Sequence, residues 1–298
     1  MTQYFYTAYG LFFASEFPLP ELCSVTECQP DITINYGAVP TSLAAPSSHG
    51  IAWESAPGLL LLHVEEVARY LIVENREIRI EPLPGSSEDE VRIFLLGSVL
   101  GAILHARHIA VLHASVIATE RGAVLFMGRS GAGKSTLLGG FLQRGYAMLA
   151  DDKAGITLNE NGVPQVMPGF PLIRLTEEAV QKLQFPIQHL PTNQALEKFV
   201  LPVERFCNSP LPIHAAYALN VHNQAHIQLE KLPPIEQFEA LNFQTYRRGY
   251  MHLPEQRQAH FRTLGEVTKK TRVTRVVRPQ YPYLLDELVT RVEEDMRQ

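Results

Sequence analysis

Over the first 85 residues the apolar positions recur with a period of two, the spacing of half-buried strands. Ile32-Thr33-Ile34-Asn35-Tyr36 alternates throughout, Ala68–Val73 does so in part, and 59–64 and 78–80 complete a small antiparallel group. Ala56-Pro57-Gly58 and Glu74-Asn75-Arg76 are the expected turns. The pattern then breaks at 82–85. Ser87-Glu88-Asp89-Glu90 has the form of a capping box and predicts a buried, mostly apolar helix over 88–105. A strand over 109–117, a turn at Thr119-Glu120-Arg121-Gly122 and a strand over 123–127 predict an antiparallel hairpin. Further on, the pattern predicts a helix from Thr136, a C-cap at Gly145, strands over 146–150 and 154–158, and a helix opening at Thr176-Glu177-Glu178. Residues 184–202 read as loop. Strands over 213–220 and 227–232 and helices over 235–247 and 283–297 follow. The expected organisation is a β-rich N-terminal lobe, 1–85, and an α/β domain, 86–298.

The hairpin feeds Gly128-Arg129-Ser130-Gly131-Ala132-Gly133-Lys134-Ser135-Thr136, a complete G-x-x-x-x-G-K-[ST] phosphate loop. Glycine at 128 and 133 permits backbone angles that a Cβ would forbid. The N–H groups of the loop and of the following helix then point at phosphate oxygens. Lys134 reaches the β and γ phosphates, and Ser135 can ligate Mg²⁺. Ordinary phosphate-loop proteins join this strand to its neighbours by parallel crossovers, so an antiparallel hairpin sets the chain apart.

Asp151-Asp152 closes the strand after the loop helix, where ligands bind in α/β sheets. One carboxylate can hold Mg²⁺ and the other can accept a proton from an attacking hydroxyl. On the preceding strand, Ile109, Val111, His113, Ser115 and Ile117 share a face, which makes His113 either a core residue or a third member of the site. Arg174, Lys198, Arg247 and Arg248 are candidate cations to complete it.

Composition narrows the class. The chain has 298 residues, 46% hydrophobic and 19% charged, with net charge −5, which argues against a general nucleic-acid binder. Positive charge is uneven, with no Lys or Arg before Arg69. The run Lys269, Lys270, Arg272, Arg275, Arg278 reads as a solvated strand face, or else as a lure for acidic groups. Three cysteines at unrelated spacings fit a reducing cytoplasm. The longest charge-free apolar run, 93–104, is short of the roughly 20 residues a membrane span needs.

At Val111-Leu112-His113-Ala114, at the loop and at Tyr146-Ala147-Met148-Leu149-Ala150-Asp151-Asp152 the chain resembles the HPr kinase/phosphorylase family. That family has a variant phosphate-loop core related to phosphoenolpyruvate carboxykinase. The resemblance implies a P-loop core with a mixed sheet beside the small β-rich lobe. It implies that His113 assists phosphate chemistry, Lys134 stabilises the transferred phosphoryl group, and Ser135 binds Mg²⁺ with support from Asp151. Asp152 is implied as the base that activates a serine. The match covers 109–153. The family's Glu-bearing strand and its P-x-x-P-G-R-N stretch have no counterpart near 171–174, and the N-terminal lobe differs.

The opening Gly10-Leu11, Ser15-Glu16 and Pro18-Leu19-Pro20-Glu21-Leu22, with Leu112-His113-Ala114-Ser115, resembles HPr-kinase-like proteins of bacterial biosynthetic clusters. Some of these phosphorylate a C-terminal serine of a lasso-peptide precursor. The implied cofactors are ATP and Mg²⁺, and the implied partner is a peptide or protein bearing a serine, with neither nucleic acid nor membrane. HPr kinases form rings, so a homo-oligomer is admitted. Two other readings stay open: a kinase of a small hydroxylated metabolite or free serine, and a nucleotide-regulated binding module without transfer. No N-K-x-D or L-S-G-G-Q motif supports a GTPase or a transport ATPase.

Overall fold

The computed structural model describes residues 3–185, 192–193, 198–223 and 226–298. It forms two compact units, Met1–Ile109 with Arg247–His260, and Ala110–Tyr246 with Phe261–Gln298. The expected boundary after residue 85 falls inside the first unit, which keeps the helix that follows it. Both units mix strands and helices, and no described helix is long and apolar enough to cross a membrane.

The first unit carries nine strands: β1 (Tyr4–Ala8), β2 (Leu11–Ser15), β3 (Cys23–Ser24), β4 (Ile32–Tyr36), β5 (Ser48–His49), β6 (Trp53–Ala56), β7 (Leu59–Val64), β8 (Ala68–Val73) and β9 (Glu77–Pro82). They form one sheet in the order β3-β1-β2-β4-β9-β8-β7-β6-β5. The expectation of a small antiparallel group is corrected on size and direction, because β4 runs parallel to both β2 and β9. Tight turns of the expected kind join the strands, with Gly58 at φ 72° and Glu74 and Asn75 at 48° and 54°. The expected capping box forms: Ser87 Oγ accepts from the Glu90 N–H and the Glu90 carboxylate accepts from the Ser87 N–H. The helix it starts runs as α1 (Glu88–Phe94), a π-turn (Leu95–Val99) and α2 (Leu100–Ala106). The Tyr70 hydroxyl donates to the Val91 carbonyl at 2.9 Å and ties sheet to helix.

The second unit begins with β10 (Ala110–Leu112), β11 (Ala114–Thr119), β12 (Gly122–Gly128), α3 (Lys134–Gln143), β13 (Ala147–Ala150), β14 (Ala154–Leu158), β15 (Pro164–Met167), β16 (Leu172–Leu175) and α4 (Glu177–Lys182). It continues with β17 (Thr192–Asn193), β18 (Lys198–Pro202), β19 (Leu211–His222), β20 (Gln228–Lys231), α5 (Pro234–Phe243), α6 (Pro254–Lys270, which enters this unit at Phe261), β21 (Arg272–Pro279) and α7 (Leu285–Met296). The main sheet is mixed and runs β10-β14-β15-β19-β12-β11-β13, with β21 also on β19. The expected hairpin is present, since β11 and β12 pair antiparallel from Ala114↔Met127 to Thr119↔Gly122.

Several expectations change. The single strand over 109–117 is two strands broken at His113, whose N–H donates to the Gln244 carbonyl at 2.7 Å instead of a ladder neighbour. The stretch 184–202 ends in β18, which pairs with β16; within it, 186–191 and 194–197 lie outside the described residues. The helix expected over 235–247 stops at Phe243. Helix α6 was not anticipated at all.

Strand directions explain why chemistry gathers at one edge. β12 and β19 are parallel, as are β19 and β21, so Gly128, Leu219 and Arg278 all lie at carboxyl ends on the same side. β11 is antiparallel to both β12 and β13, so its start and the end of β13 reach that edge too. His113 and Asp151-Asp152 are thereby delivered to the phosphate loop.

Candidate active site

The loop has the backbone its sequence requires. Gly128 adopts φ 156° and Gly133 φ 97°. A Cβ on Gly128 would stand 2.8 Å from the Leu219 carbonyl oxygen, and one on Gly133 2.8 Å from the Tyr283 hydroxyl. Helix α3 starts at Gly133 without a side-chain cap, leaving its first N–H groups for an anion. Arg129, Ser130, Gly131, Ala132, Ser135 and Thr136 line the same cleft, a cavity of about 610 Å³.

Lys134 is buried, and its Nζ donates to the carbonyls of Gly128 at 2.9 Å and Arg129 at 3.2 Å. Burial pushes its pKa down to about 8, against the pull of Asp151 and Asp152, with Lys198 adding to the depression. The ammonium is therefore short of compensating anions, a setting that phosphate oxygens would relieve.

Asp151 is buried and fully engaged. Its Oδ1 accepts from Ser115 Oγ at 2.6 Å and Ser135 Oγ at 3.0 Å, and its Oδ2 accepts from the Arg174 N–H at 3.0 Å. The strand that leads into it, β13, is not adjacent to the phosphate-loop strand β12. β11 lies between them and supplies Ser115. A serine hydroxyl and a carboxylate at hydrogen-bond distance form an oxygen-only donor pair. That pair fits Mg²⁺, which takes one or two carboxylates and completes its shell with water and substrate phosphates. Among the described residues no group of three or more His, Cys, Asp or Glu side chains could hold a metal by itself.

Asp152 sits at φ 68°, a left-handed angle uncommon outside glycine and associated with functional strain. Its Oδ2 lies 2.9 Å from Lys153 Nζ and 3.3 Å from an Arg174 guanidinium nitrogen. His113 Nδ1 is 3.4 Å from its Oδ1 and 2.9 Å from its backbone carbonyl. Because a carbonyl only accepts, Nδ1 carries the proton. Burial alone would raise the Asp152 pKa, but Lys153, Arg174 and His113 hold it below the usual carboxylate range. Burial, followed by Lys134, lowers that of His113, so its ring is neutral near pH 7.

The structure thus brings His113, Lys134, Ser135, Asp151 and Asp152 together. Of the four candidate cations, Arg174 and Lys198 line the cleft, while Arg247 and Arg248 belong to the first unit. Three residues went unassigned by sequence. Ser115 was noted only as sharing a face with His113. Lys153 is fully buried against Asp152 and followed the double Asp directly, which was the available signal. Arg278 was read within a solvated basic face but is 6% exposed, and its guanidinium donates to the Ala132 carbonyl at 2.9 and 3.0 Å. The rest of that basic run is spent on ion pairs: Lys269 and Lys270 with Glu266, Arg272 with Asp295, and Arg275 with Glu230 and Glu236.

No protein-family model and no curated protein sequence matches the chain. Among solved structures it is similar to the HPr(Ser) kinase/phosphatase from Coxiella burnetii, with 14% identity over 62% of this chain and 89% of that one, at a TM-score of 0.33. At that score the fold and the site stand on the strands and side chains described above.

Proposed function

We propose that the chain is an ATP- and Mg²⁺-dependent serine kinase of the HPr-kinase type, transferring the γ-phosphate to a serine hydroxyl of a peptide or protein. The observation that carries this reading is the meeting of a complete phosphate loop with His113, Asp151-Asp152 and Arg174 at one sheet edge. A loop alone would mean only nucleotide binding. An ionised carboxylate unencumbered by a metal-holding role, beside the γ-phosphate position, adds an acceptor for a hydroxyl proton.

In the proposed reaction the serine Oγ forms a bond to Pγ, the bond from Pγ to the bridging oxygen breaks, and ADP leaves. The loop N–H groups hold the phosphates, and Lys134 and Arg174 place positive charge where the transferring group develops negative charge. Ser135 and Asp151 would hold Mg²⁺, which supplies further neutralisation of the β and γ oxygens. Asp152, kept ionised by its three cationic or polar neighbours, orients the hydroxyl and receives its proton. A carboxylate of such low basicity takes that proton late, which suits the loose transition state of phosphoryl transfer. His113, with Nδ1 tied to Asp152, lines the cleft beside it.

The test is a mass-spectrometric assay with ATP, Mg²⁺ and three acceptors: HPr, a lasso-type precursor peptide ending in serine, and free serine. Phosphate on a peptide or protein serine is the expected result, with the precursor peptide favoured by the resemblance of the N-terminal opening. Transfer to free serine alone would move the chain to the small-molecule kinases. ATP binding without transfer to any acceptor would make it a binding module. Asp152→Asn should lower turnover by about 10²–10⁴-fold while ATP affinity stays near wild type, and full activity in that variant would remove Asp152 from its role.

A further inference from the structure

We propose that the carboxyl ends of β19 and β21 form the seat for the aromatic base of a nucleoside triphosphate, with the exposed ring of Tyr281 as its stacking surface. The inference rests on the phosphoryl-transfer reading above and adds to it a direction for the nucleotide and a residue that senses the base.

The direction follows from the phosphate loop. Its lysine reaches the β and γ phosphates and its serine the metal, while backbone N–H groups cradle the α and β phosphates. Lys134, Ser135 and the Asp151-Asp152 pair therefore mark the γ end of the cleft. Across the sheet the order is β13-β11-β12-β19, with β21 on β19, so the acidic pair at the end of β13 and the end of β21 flank the loop on opposite sides. A triphosphate with its γ end at Asp152 must point its nucleoside toward β19 and β21.

The chemistry of the cleft changes in the same direction. At the γ end the lining side chains are polar or charged: His113, Asp151, Asp152, Arg174 and Lys198. At the other end lie Val221, 40% exposed at the end of β19, and Tyr281, 70% exposed just beyond β21. Large apolar groups left in water beside a phosphate site gain by covering a base, and every base offers a π-face for a tyrosine ring. Gln280, also on the lining, adds an amide able to meet the polar edge of a base.

The loop that carries Tyr281 is fastened to the phosphate loop itself. Arg278 donates to the Ala132 carbonyl, and its guanidinium carbon lies 4.2 Å from the centroid of the Tyr283 ring. Lys182 Nζ lies 4.2 Å from the same centroid. Tyr283 is thus held in place by two cations, which leaves Tyr281 as the ring free to stack. Because one guanidinium grips both segments, the distance from phosphates to base is built into the fold.

The experiment compares calorimetric binding of Mg·ATP and of Mg·tripolyphosphate to the full chain, in wild type, Tyr281→Ala and Tyr281→Phe. ATP should bind wild type about tenfold tighter than tripolyphosphate, the increment being the base. Tyr281→Ala should erase that advantage and leave tripolyphosphate affinity unchanged, and Tyr281→Phe should keep it. Tyr281 is on the surface, so the alanine variant is expected to fold. If Tyr281→Ala leaves ATP affinity intact, or weakens both ligands alike, the base does not sit there. If wild type binds neither ligand, the phosphate-loop reading fails first and the seat falls with it.

Discussion

The two units of the chain bury polar groups on opposite terms. In the first, the buried polar side chains among the described residues are Ser15, Ser55, Ser98, His105, Gln256 and His260, none with a fixed charge. In the second, Lys134, Asp151, Lys153 and Arg278 are all buried, and all four lie on or against the phosphate-loop cleft. Burying a charge is costly unless it is paired. A unit that concentrates four such groups at one sheet edge gives up stability there for preorganised electrostatics. The first unit, built as a β-scaffold with neutral interior polar groups, shows no such concentration. This contrast singles out the cleft more firmly than the loop motif does, since charges buried together at one sheet edge are costly to keep unless they serve a site.

The sharpest way to break the contrast is to remove the buried ammonium of the phosphate loop. Lys134→Met should cut phosphoryl transfer by about 10³-fold, the scale of losing one electrostatic stabiliser of the transition state. It should leave the melting temperature unchanged or raised, because the ammonium is buried with its pKa near 8 and its loss relieves a desolvation cost. Activity and scanning calorimetry on the same preparation check both halves. A variant that melts much earlier would make Lys134 a structural residue and erase the distinction between the units.

Lys153 tests the opposite case, a buried charge that the fold does need. It is fully buried and pairs with Asp152 at 2.9 Å, with its Nζ 5.1 Å from the Tyr246 ring centroid. Lys153→Met should destabilise the second unit by about 3 kcal/mol, the lower end for breaking a buried pair, because Arg174 still serves Asp152. In the double variant with Asp152→Asn the two losses should not add, and the shortfall from additivity measures the pair. Strict additivity in urea unfolding would mean that Lys153 is held by packing alone.

The same locality explains what could be read from the chain before folding. The phosphate loop is a contiguous constraint on backbone angles and donors, so its nine residues were legible, as were the capping box at Ser87 and the hairpin into Gly128. His113 and Asp151-Asp152 could be placed because each closes or interrupts an apolar run. Helix α6 could not be seen, because its buried face is Gln256, His260, Thr263, Leu264 and Val267, and three polar side chains hide the stripe. Arg278 was hidden for another reason. A cation three residues from another looks solvated until its partner, the Ala132 carbonyl, is brought from 146 residues away. Ser115 likewise acquires meaning only when β11 and β13 pair and bring it to Asp151. What the linear pattern lacks is the list of long-range partners that turns a basic residue into a brace.

The smallest predicted effect lies in the first unit, at its buried histidine pair. His260 is 5% exposed and His105 2%, with ring centroids 6.0 Å apart. Burial, then His105 and Arg248, lower the His260 pKa to about 4. A folded pKa below the unfolded value of about 6.5 means that the unfolded chain takes up the proton first as pH falls. Stability from this group is therefore intact above pH 6.5, declines between 6.5 and 4, and declines no further below 4. At pH 5 the loss amounts to about 2 kcal/mol. His260→Phe, which keeps an aromatic ring in the pocket, should flatten that part of the pH dependence in urea unfolding of the first unit, while leaving the acid response of the second unit as it was. If the slope between pH 6.5 and 5 survives the substitution, the neutral interior of the first unit owes its acid sensitivity to some other group.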